Sequence, residues 1–571
     1  MCVFYLMVVL IANVDAQRPA KIFQHGAVAA DVTTCSTIGS KILQENGSAV
    51  DSYIATVFCL GVYHPMYSGL GGGGVALVYS RQKRAYYSYD YTGSAPAGVF
   101  DAKLPEIFKE NINKSSRYGP LVILVPSQLK GLWEMWKDHG RLPWQRLIQP
   151  IIDFAERNEI QIDEQMINSV KVVKYQSRTS YNDDNLVSFL QDENHRWLDK
   201  GSIINTTLIV QTLKEIQRTN ISLLYGEEGA QKIAKEIQEK GGIITKKDLT
   251  NYTVKKRKIL QTEITSDLTL STIGPPFEGG FLSHVANILS GYNFTGMSLS
   301  NTQNATQFYH ILLEAFKFAL GNRAYNFDAD FSSDPSWLEK FSDYVTNKTI
   351  SEEFRARWIS MQQTHPPEYY GDDSYKDKEG STSHTCVMAE DGEAVSGTNS
   401  INFYFGSLIR SKSTGIIWNN GMNDFSDASN IYRKPPSKWN KMAPHKRPAS
   451  SMSPVIITRK NGDIALVIGA SGGPRIPMAI AQVIWKSIFF GVELGEAVDG
   501  YRLFHKDLNV NRFYQYKKRP VPLDLIEALQ SMGHLYEKAV GRSVVQAIYR
   551  GSDGILNAAS DTRKESEAAG Y

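Results

Sequence analysis

The run Gly380-Ser381-Thr382-Ser383-His384 places a threonine where a hydrophilic stretch, YYGDDSYKDKEG, gives way to apolar sequence. Cys386-Val387-Met388-Ala389 has the residue types of a strand, Glu390-Asp391-Gly392 those of a turn, and a second strand pattern follows. Read locally, Thr382 belongs to a Ser/Thr-rich turn entering a strand. Read chemically, it offers more. A chain cut before a threonine frees a self-contained catalyst. The hydroxyl is the nucleophile, and the α-amine of the same residue, with an ordinary pKa of about 7.7–8.0, is a base near its working pH.

Other residues carry chemistry of their own. Gly472-Gly473-Pro474 follows the apolar run IALVIGAS and leads into IPMAIAQVIWKSIFFG. A strand–Gly-Gly–helix junction aims backbone N–H groups outward as an anion or oxyanion site; the same residues also make a plain turn. Cys386, two positions beyond His384, reads as a thiol nucleophile or as a small buried core residue. His310, His384 and His534 are scattered along the chain, so core or surface roles suit them and no metal is expected. Gly69, Gly71 and Gly74 formally match G-x-G-x-x-G, but a helix pattern precedes them and a strand pattern follows. That is the reverse of a dinucleotide-binding unit, and a glycine loop packed tightly near a buried site is the better reading.

The elements that must position these groups change character along the chain. Helical periodicity dominates 31–60, a strand follows SGLGGGG, and 125–245 is mostly helical, with HGRLPWQRLIQPIIDFAER opening near Pro143. A short β-rich segment precedes Pro275-Pro276, helices resume through FLSHVANILSGY and ATQFYHILLEAFKFALGNRAY, and a polar linker, 364–380, has the composition of a proteolysable loop. Beyond Thr382, HTCVMAEDGEAVSGTNSINFYFGS reads as paired strands and SPVIITRKNGDIALVIGAS as a hairpin turning at Asn461-Gly462-Asp463. The length of 571 residues allows two to four domains, and a net charge of +3 gives no reason to expect nucleic acid.

The first sixteen residues read as a secretory signal. Cys2 to Ala12 is apolar but too short to span a bilayer, and small residues before Gln17 suit cleavage; a signal anchor is the alternative. No other segment is apolar enough to span. Eight N-x-[ST] sequons, at Asn46, Asn113, Asn205, Asn220, Asn251, Asn293, Asn304 and Asn347, agree with export to an extracellular location. All precede Thr382, which suggests that the two sides of it differ in exposure. Without the signal, Cys35, Cys59 and Cys386 remain, and Cys35 with Cys59 is the natural disulfide pair in an oxidising compartment.

The block STSHTCVMAEDGEAVSGTNSINFYFGS resembles the small-subunit start of γ-glutamyltransferases, also called γ-glutamyltranspeptidases or glutathione hydrolases. So do NNGMNDFSD, KRPASSMSP, GASGGP and VVQAIYRGSDGILNAASDTRKESEAAGY. Upstream, CSTIGSKILQENGSAVDSYIATVFCLG, GLGGGG, HGRLPWQRLIQP and EAFKFALGNR are similar to that family too. The resemblance implies an α/β fold, the four-layer αββα sandwich of N-terminal nucleophile hydrolases. It implies a precursor that cuts itself between Ser381 and Thr382 into a large fragment, 17–381, and a small one, 382–571, which stay together as a heterodimer. It implies cleavage and transfer of the γ-glutamyl group of glutathione, or of another γ-glutamyl compound, through an acyl-enzyme on Thr382, with no cofactor.

Carried over residue by residue, the resemblance makes Ser400 the hydroxyl that orients the nucleophile, in place of a threonine. It makes Asn402 a polar substrate contact, Asp424 the carboxylate for the substrate α-amine, Ser450 and Ser451 the serine pair at the substrate carboxylate, and Gly472 and Gly473 the oxyanion-hole glycines. Two positions depart. Thr92 stands where the family has an arginine clamping the α-carboxylate, and Gly421 where it has Glu or Gln facing the α-ammonium, with Asn423 beside it in place of an acid. A bidentate charge-assisted contact contributes about 1.5–3 kcal/mol, so its loss implies at least about a ten- to hundred-fold fall in affinity or rate. Lys83, Arg84 or Lys130 could substitute. Ser127-Gln128 interrupts a VPGE-like turn, and Lys564-Glu565-Ser566 replaces a glycine-containing segment. Three readings stand: a working secreted enzyme, weak on glutathione; an inactive homologue that acts by binding; and an amidase for an acyl group without an α-amino acid head.

Overall fold

The alternation of side chains along the strands builds the layers of this computed structural model, in which residues 18–100, 117–157, 160–179, 181–371, 380–426, 437, 439–505, 512–515, 519–538 and 543–571 are described. In strand β2 (Ala27–Ala30), Val28 and Ala30 join one apolar cluster while Ala27 and Ala29 join another. Strands β1 (Lys21–Phe23), β3 (Gly73–Ser80), β4 (Ala85–Tyr91), β5 (Ile259–Glu263) and β6 (Leu268–Ile273) precede Thr382. After them come β7 (Ser381–Met388), β8 (Glu393–Asn402), β9 (Val455–Arg459) and β10 (Ile464–Ser471). The chain continues through β11 (Leu503–His505), β12 (Arg512–Gln515), β13 (Leu535–Glu537), β14 (Val544–Arg550), β15 (Leu556–Ser560) and β16 (Ala569–Gly570).

One antiparallel sheet has the order β1-β15-β14-β10-β9-β6-β5 and the other β16-β2-β7-β8-β3-β4; β11–β13 form a small third sheet. Each large sheet draws strands from both sides of Thr382. The inner faces meet through Val75, Leu77, Cys386 and Met388 from one sheet and Ile456, Val467, Ile548 and Ala558 from the other. The outer face of the six-stranded sheet, with Val387 and Val395, packs on helices α1 (Thr33–Gln44) and α2 (Ala49–Tyr63) and on the helices of 128–239. The outer face of the seven-stranded sheet, with Leu466 and Ile468, packs on α3 (Gly279–Leu289), α4 (Thr302–Gly321) and α5 (Ile476–Ile484). The result is the expected αββα order.

Several local expectations are refined. The helical pattern over 31–60 is two helices, because Asn46 takes a left-handed φ of 64° and Ser48 starts α2 with a capping box to Asp51. The start of the 364–380 linker is ordered by packing: Tyr370 is buried, and its hydroxyl donates to the buried Glu314 at 2.7 Å. Residues 372–379 of that linker, the signal 1–16 and Asn113 lie outside the described residues. The other seven sequon asparagines are exposed or half-buried. Among the described residues no helix is long and apolar enough to cross a membrane.

Cys35 and Cys59 are joined, tying α1 to α2. The bridge spans a sequence separation of 24 residues. A loop of that size predicts that the Cys35→Ala/Cys59→Ala variant loses about 3 kcal/mol of unfolding free energy. Denaturant titration of the two proteins measures it, and coincident midpoints would show that the bridge does not constrain the chain.

Candidate active site

A register slip makes the site. Ser381 of β7 lies opposite Asn402 of β8, yet Ser383 lies opposite Asn399, so Ser400 and Ile401 together face the single residue Thr382. Such a bulge re-aims side chains. The Ser400 hydroxyl donates to the carbonyl oxygen of Ser381 at 2.6 Å and accepts the Asn402 N–H at 2.8 Å. That carbonyl belongs to the peptide bond preceding Thr382. The Ser381 hydroxyl donates to the carbonyls of Asn402 (3.0 Å) and Met66 (3.2 Å). Ser381 and Thr382 are each 6% exposed, whereas Ser400, Asn402, Asp424, Ser450, Gly472 and Gly473 are half-buried. Thr382 shares the period-two alternation of His384, Cys386 and Met388, on the face of β7 that looks into the space between the sheets.

The glycine loop packs directly behind this bond, as its sequence suggested. A Cβ on Gly72 would lie 2.3 Å from the Ser400 carbonyl oxygen, so no larger residue fits there. On the opposite side, β10 ends at Ser471, and Gly472 and Gly473 follow with φ of 123° and 62°. Gly473 approaches the segment just before Thr382: its Cα is 4.0 Å from where a Cβ on Gly380 would sit. Arg323 donates to the Pro474 carbonyl at 2.8 Å and pairs with Glu278 at 2.6 Å. The Glu278 N–H in turn donates to the Ser450 carbonyl at 3.1 Å, which attaches Ser450 and its neighbour Ser451 to the same wall.

Asn402, at φ 78°, turns its amide toward Asp424 and donates to Oδ1 at 3.1 Å. Thr92 adjoins the site through Gly73, which pairs with Ser400 and whose missing Cβ would lie 3.0 Å from the Thr92 Cα. The Thr92 hydroxyl donates to Asp90 Oδ1 at 2.6 Å. Burial opposes charge on Asp90, but Arg447 and Arg257 outweigh it and hold its carboxyl down at about 2. Asp90 is thus fixed as a carboxylate that occupies the Thr92 hydroxyl.

Of the basic residues named as substitutes at Thr92, Lys83 and Arg84 precede the seven-residue β4 and Thr92 follows it, which places even the Arg84 backbone about 26 Å from Thr92 along the strand. Arg84 donates to the Asn461 carbonyl there. The Lys130 ammonium lies 5.8 Å over the ring of Tyr225. Gly421 is buried, and a Cβ on it would lie 2.4 Å from Leu124 Cδ1. Leu124 belongs to an apolar cluster with Ala95, Val99, Val122, Met422 and Phe425. At Gly421, where the resemblance led one to expect Glu or Gln, this chain has an apolar wall.

Two expectations about other residues change or sharpen. His310 and His534 are not apart in space: Nδ1 of the first and Nε2 of the second share a hydrogen bond at 2.8 Å, with Glu314 beside them. The Glu314 carboxylate is taken up by Lys317, Thr364 and Tyr370, while His534 Nδ1 is buried without a hydrogen-bond partner. Cys386 is fully buried, and burial pushes its thiol far from ionisation, which fits a core residue.

One group at the site escaped the sequence reading. Lys564 was visible only as a departure near the C-terminus, and no local signal pairs it with Thr382. Its buried ammonium donates to the Thr382 carbonyl oxygen at 2.8 Å, to Asp31 Oδ2 at 2.5 Å and to the Ser471 hydroxyl at 3.2 Å.

Two facing antiparallel sheets with helices outside them form the N-terminal nucleophile hydrolase architecture. A solved cephalosporin acylase from Bacillus halodurans has this fold, with a TM-score of 0.82 at 22% identity over 99% of both chains. The gamma-glutamyltranspeptidase family model matches residues 35–571, and the chain belongs to that family. Among curated relatives, scoloptoxin SSD14 of Scolopendra dehaani is 34% identical, covering 95% of this chain and 92% of its own. Glutathione hydrolase 2 of Arabidopsis thaliana is 30% identical, covering 99% and 97%. The mouse (Mus musculus) glutathione hydrolase 5 proenzyme is also 30% identical over 99% and 97%.

The packing at Gly421 predicts that Gly421→Glu alone destabilises the fold by about 1–3 kcal/mol through overpacking against Leu124. Adding Leu124→Ala should recover most of that loss. Thermal melts of the single and double variants decide it; a single variant as stable as the parent would show that the wall yields.

Proposed function

We propose that this chain is a secreted, self-cleaving γ-glutamyltransferase-type enzyme with weak activity on glutathione. The observation that carries the reading is the Ser400 hydroxyl, 2.6 Å from the carbonyl oxygen of the Ser381–Thr382 bond. In the uncut chain the Thr382 hydroxyl attacks the Ser381 carbonyl carbon while Ser400 stabilises the developing oxyanion. The C–N bond breaks, the hydroxyl proton passes to the leaving nitrogen, and water then hydrolyses the resulting ester. Residues 17–381 and 382–571 remain paired because each large sheet contains strands of both.

The freed Thr382 then attacks the γ-amide carbonyl of glutathione or another γ-glutamyl compound, its α-amine taking the hydroxyl proton. Backbone N–H groups at Gly472 and Gly473 stabilise the oxyanion, and water or an acceptor amine releases the acyl group. Asn402 and Asp424 receive the substrate α-amine, and Ser450 with Ser451 its carboxylate. Thr92 and Gly421 leave both ends of that zwitterion weakly held. The relatives named as glutathione hydrolases support the substrate class. The apolar wall of Leu124, Met422 and Phe425 favours a second reading, an amidase for an acyl group without an α-amino acid head.

Denaturing gels of the secreted protein, with assays on a γ-glutamyl anilide and a plain acyl anilide, separate these readings. Two fragments, and γ-glutamyl turnover abolished by Thr382→Ala, are expected. Thr92→Arg should raise kcat/KM on the γ-glutamyl substrate by about tenfold or more. Turnover of the plain acyl anilide alone would favour the amidase, and two fragments inert to both would identify a binding protein. A single uncut chain would exclude Thr382 as a freed nucleophile.

A further inference from the structure

Lys564 is 6% exposed, and its ammonium sits among Asp31, the Thr382 carbonyl oxygen and the Ser471 hydroxyl, 4.2 Å over the ring centroid of Tyr67. Asp31 is fully buried and also accepts from the Gln546 side chain at 2.8 Å. Burying an ion pair costs more than it returns unless it is well bonded, so the pair calls for a role beyond stability. Its position supplies one. Cutting the Ser381–Thr382 bond turns the carbonyl that Ser400 holds into the carboxylate of a new C-terminus, but leaves the Thr382 carbonyl, and therefore the Lys564 contact, intact. Standard backbone dimensions put the nitrogen of a residue about 3 Å from its own carbonyl oxygen, so the ammonium, 2.8 Å from that oxygen, lies within about 6 Å of the new α-amine.

We propose that Lys564 is a positioning residue for Thr382: its buried ammonium pins the Thr382 carbonyl before and after the cut, and its charge keeps the freed α-amine in the neutral form that accepts a proton. This rests on Thr382 being the freed nucleophile. Besides Lys564, the cut itself leaves the Ser381 carboxylate beside the new α-amine, a negative charge common to the parent and every variant; further groups lie on the neighbouring walls. Arg475 donates to the Gly472 carbonyl at 3.4 Å, and Asp424 is held by Asn402. Arg323 and Glu278 pair behind Pro474. His384, next on the same face of β7, is kept neutral by burial and by Lys564, its pKa pushed down to about 3. Cys386 and Tyr67 are uncharged neighbours of the network.

The test is the pH dependence of kcat/KM on the γ-glutamyl anilide for the parent, Lys564→Met, Lys564→Arg and Asp31→Asn, with chain cutting read on gels. A positive neighbour disfavours the α-ammonium, so removing it raises the α-amine pKa and a higher pH is needed to free the base. The acid limb should move up by about one pH unit in Lys564→Met, return in Lys564→Arg, and move down in Asp31→Asn, where the positive charge loses its counter-ion. A merely structural role would lower the rate of both charge-removing variants without moving their limbs in opposite directions. If Lys564→Met stays uncut, Asp31→Asn carries the test, and a limb that fails to fall overturns the inference. A working parent whose limb is unmoved in Lys564→Met overturns this inference alone. A parent without Thr382-dependent turnover overturns the underlying reading, and this inference with it.

Discussion

The pairing of β7 with β8, slipped by one residue at Thr382, is the constraint on which the rest of the site depends. In regular register Ser400 would pair across from a single residue and its hydroxyl would follow the ordinary alternation. The slip gives Thr382 two facing residues and brings the Ser400 hydroxyl onto the carbonyl before it. The glycine loop is the other half of the same constraint, because only a residue without a Cβ lets β3 approach β8 at Ser400.

Buried charge then secures the surroundings. On one side, Asp31 and Lys564 bind the head of β7 to the C-terminal segment and to the end of β10. On the other, Asp90 is held by Arg257 and Arg447, at 2.7 and 2.6 Å, and Arg257 also pairs with Asp328 at 2.8 Å. Such networks are favourable only when fully bonded, and removing one member leaves an uncompensated charge in a low-dielectric interior. The Asp90 group fixes the backbone around Thr92, whose side chain is small and neutral. The uncharged wall around Leu124 completes the contrast. The surroundings of the Ser381–Thr382 bond are polar and tightly bonded, while the wall beside Gly421 is apolar.

Much of the fold was legible in the sequence. The Asn461-Gly462-Asp463 turn, the apolar alternation of β7 to β10 and the Gly472-Gly473 junction read correctly because turn chemistry and period-two burial are local. The disulfide pair followed from which cysteines remained. Less legible were the break between α1 and α2, the packed start of the 364–380 linker and the meeting of His310 with His534. The last two are set by partners distant in sequence: Tyr370 is ordered by Glu314, 56 positions away, and His310 by His534, 224 positions away.

The same division holds at the active site. By itself the sequence determined the residue types: a threonine at a loop–strand boundary, a glycine pair after a strand, and an uncharged Thr92 and Gly421. Those depend on neighbours along the chain and on family motifs. Only the tertiary structure decided that Ser400 faces the bond before Thr382, that Leu124 fills the space beside Gly421, and that Lys564 reaches Thr382. Lys564 and Asp31 are 533 positions apart, and Lys564 and Thr382 are 182 apart. No local periodicity encodes such pairs. They arise when packing the two sheets brings the head of β7, the end of β10 and the C-terminal segment to one point, and burial then makes each charge find its partner.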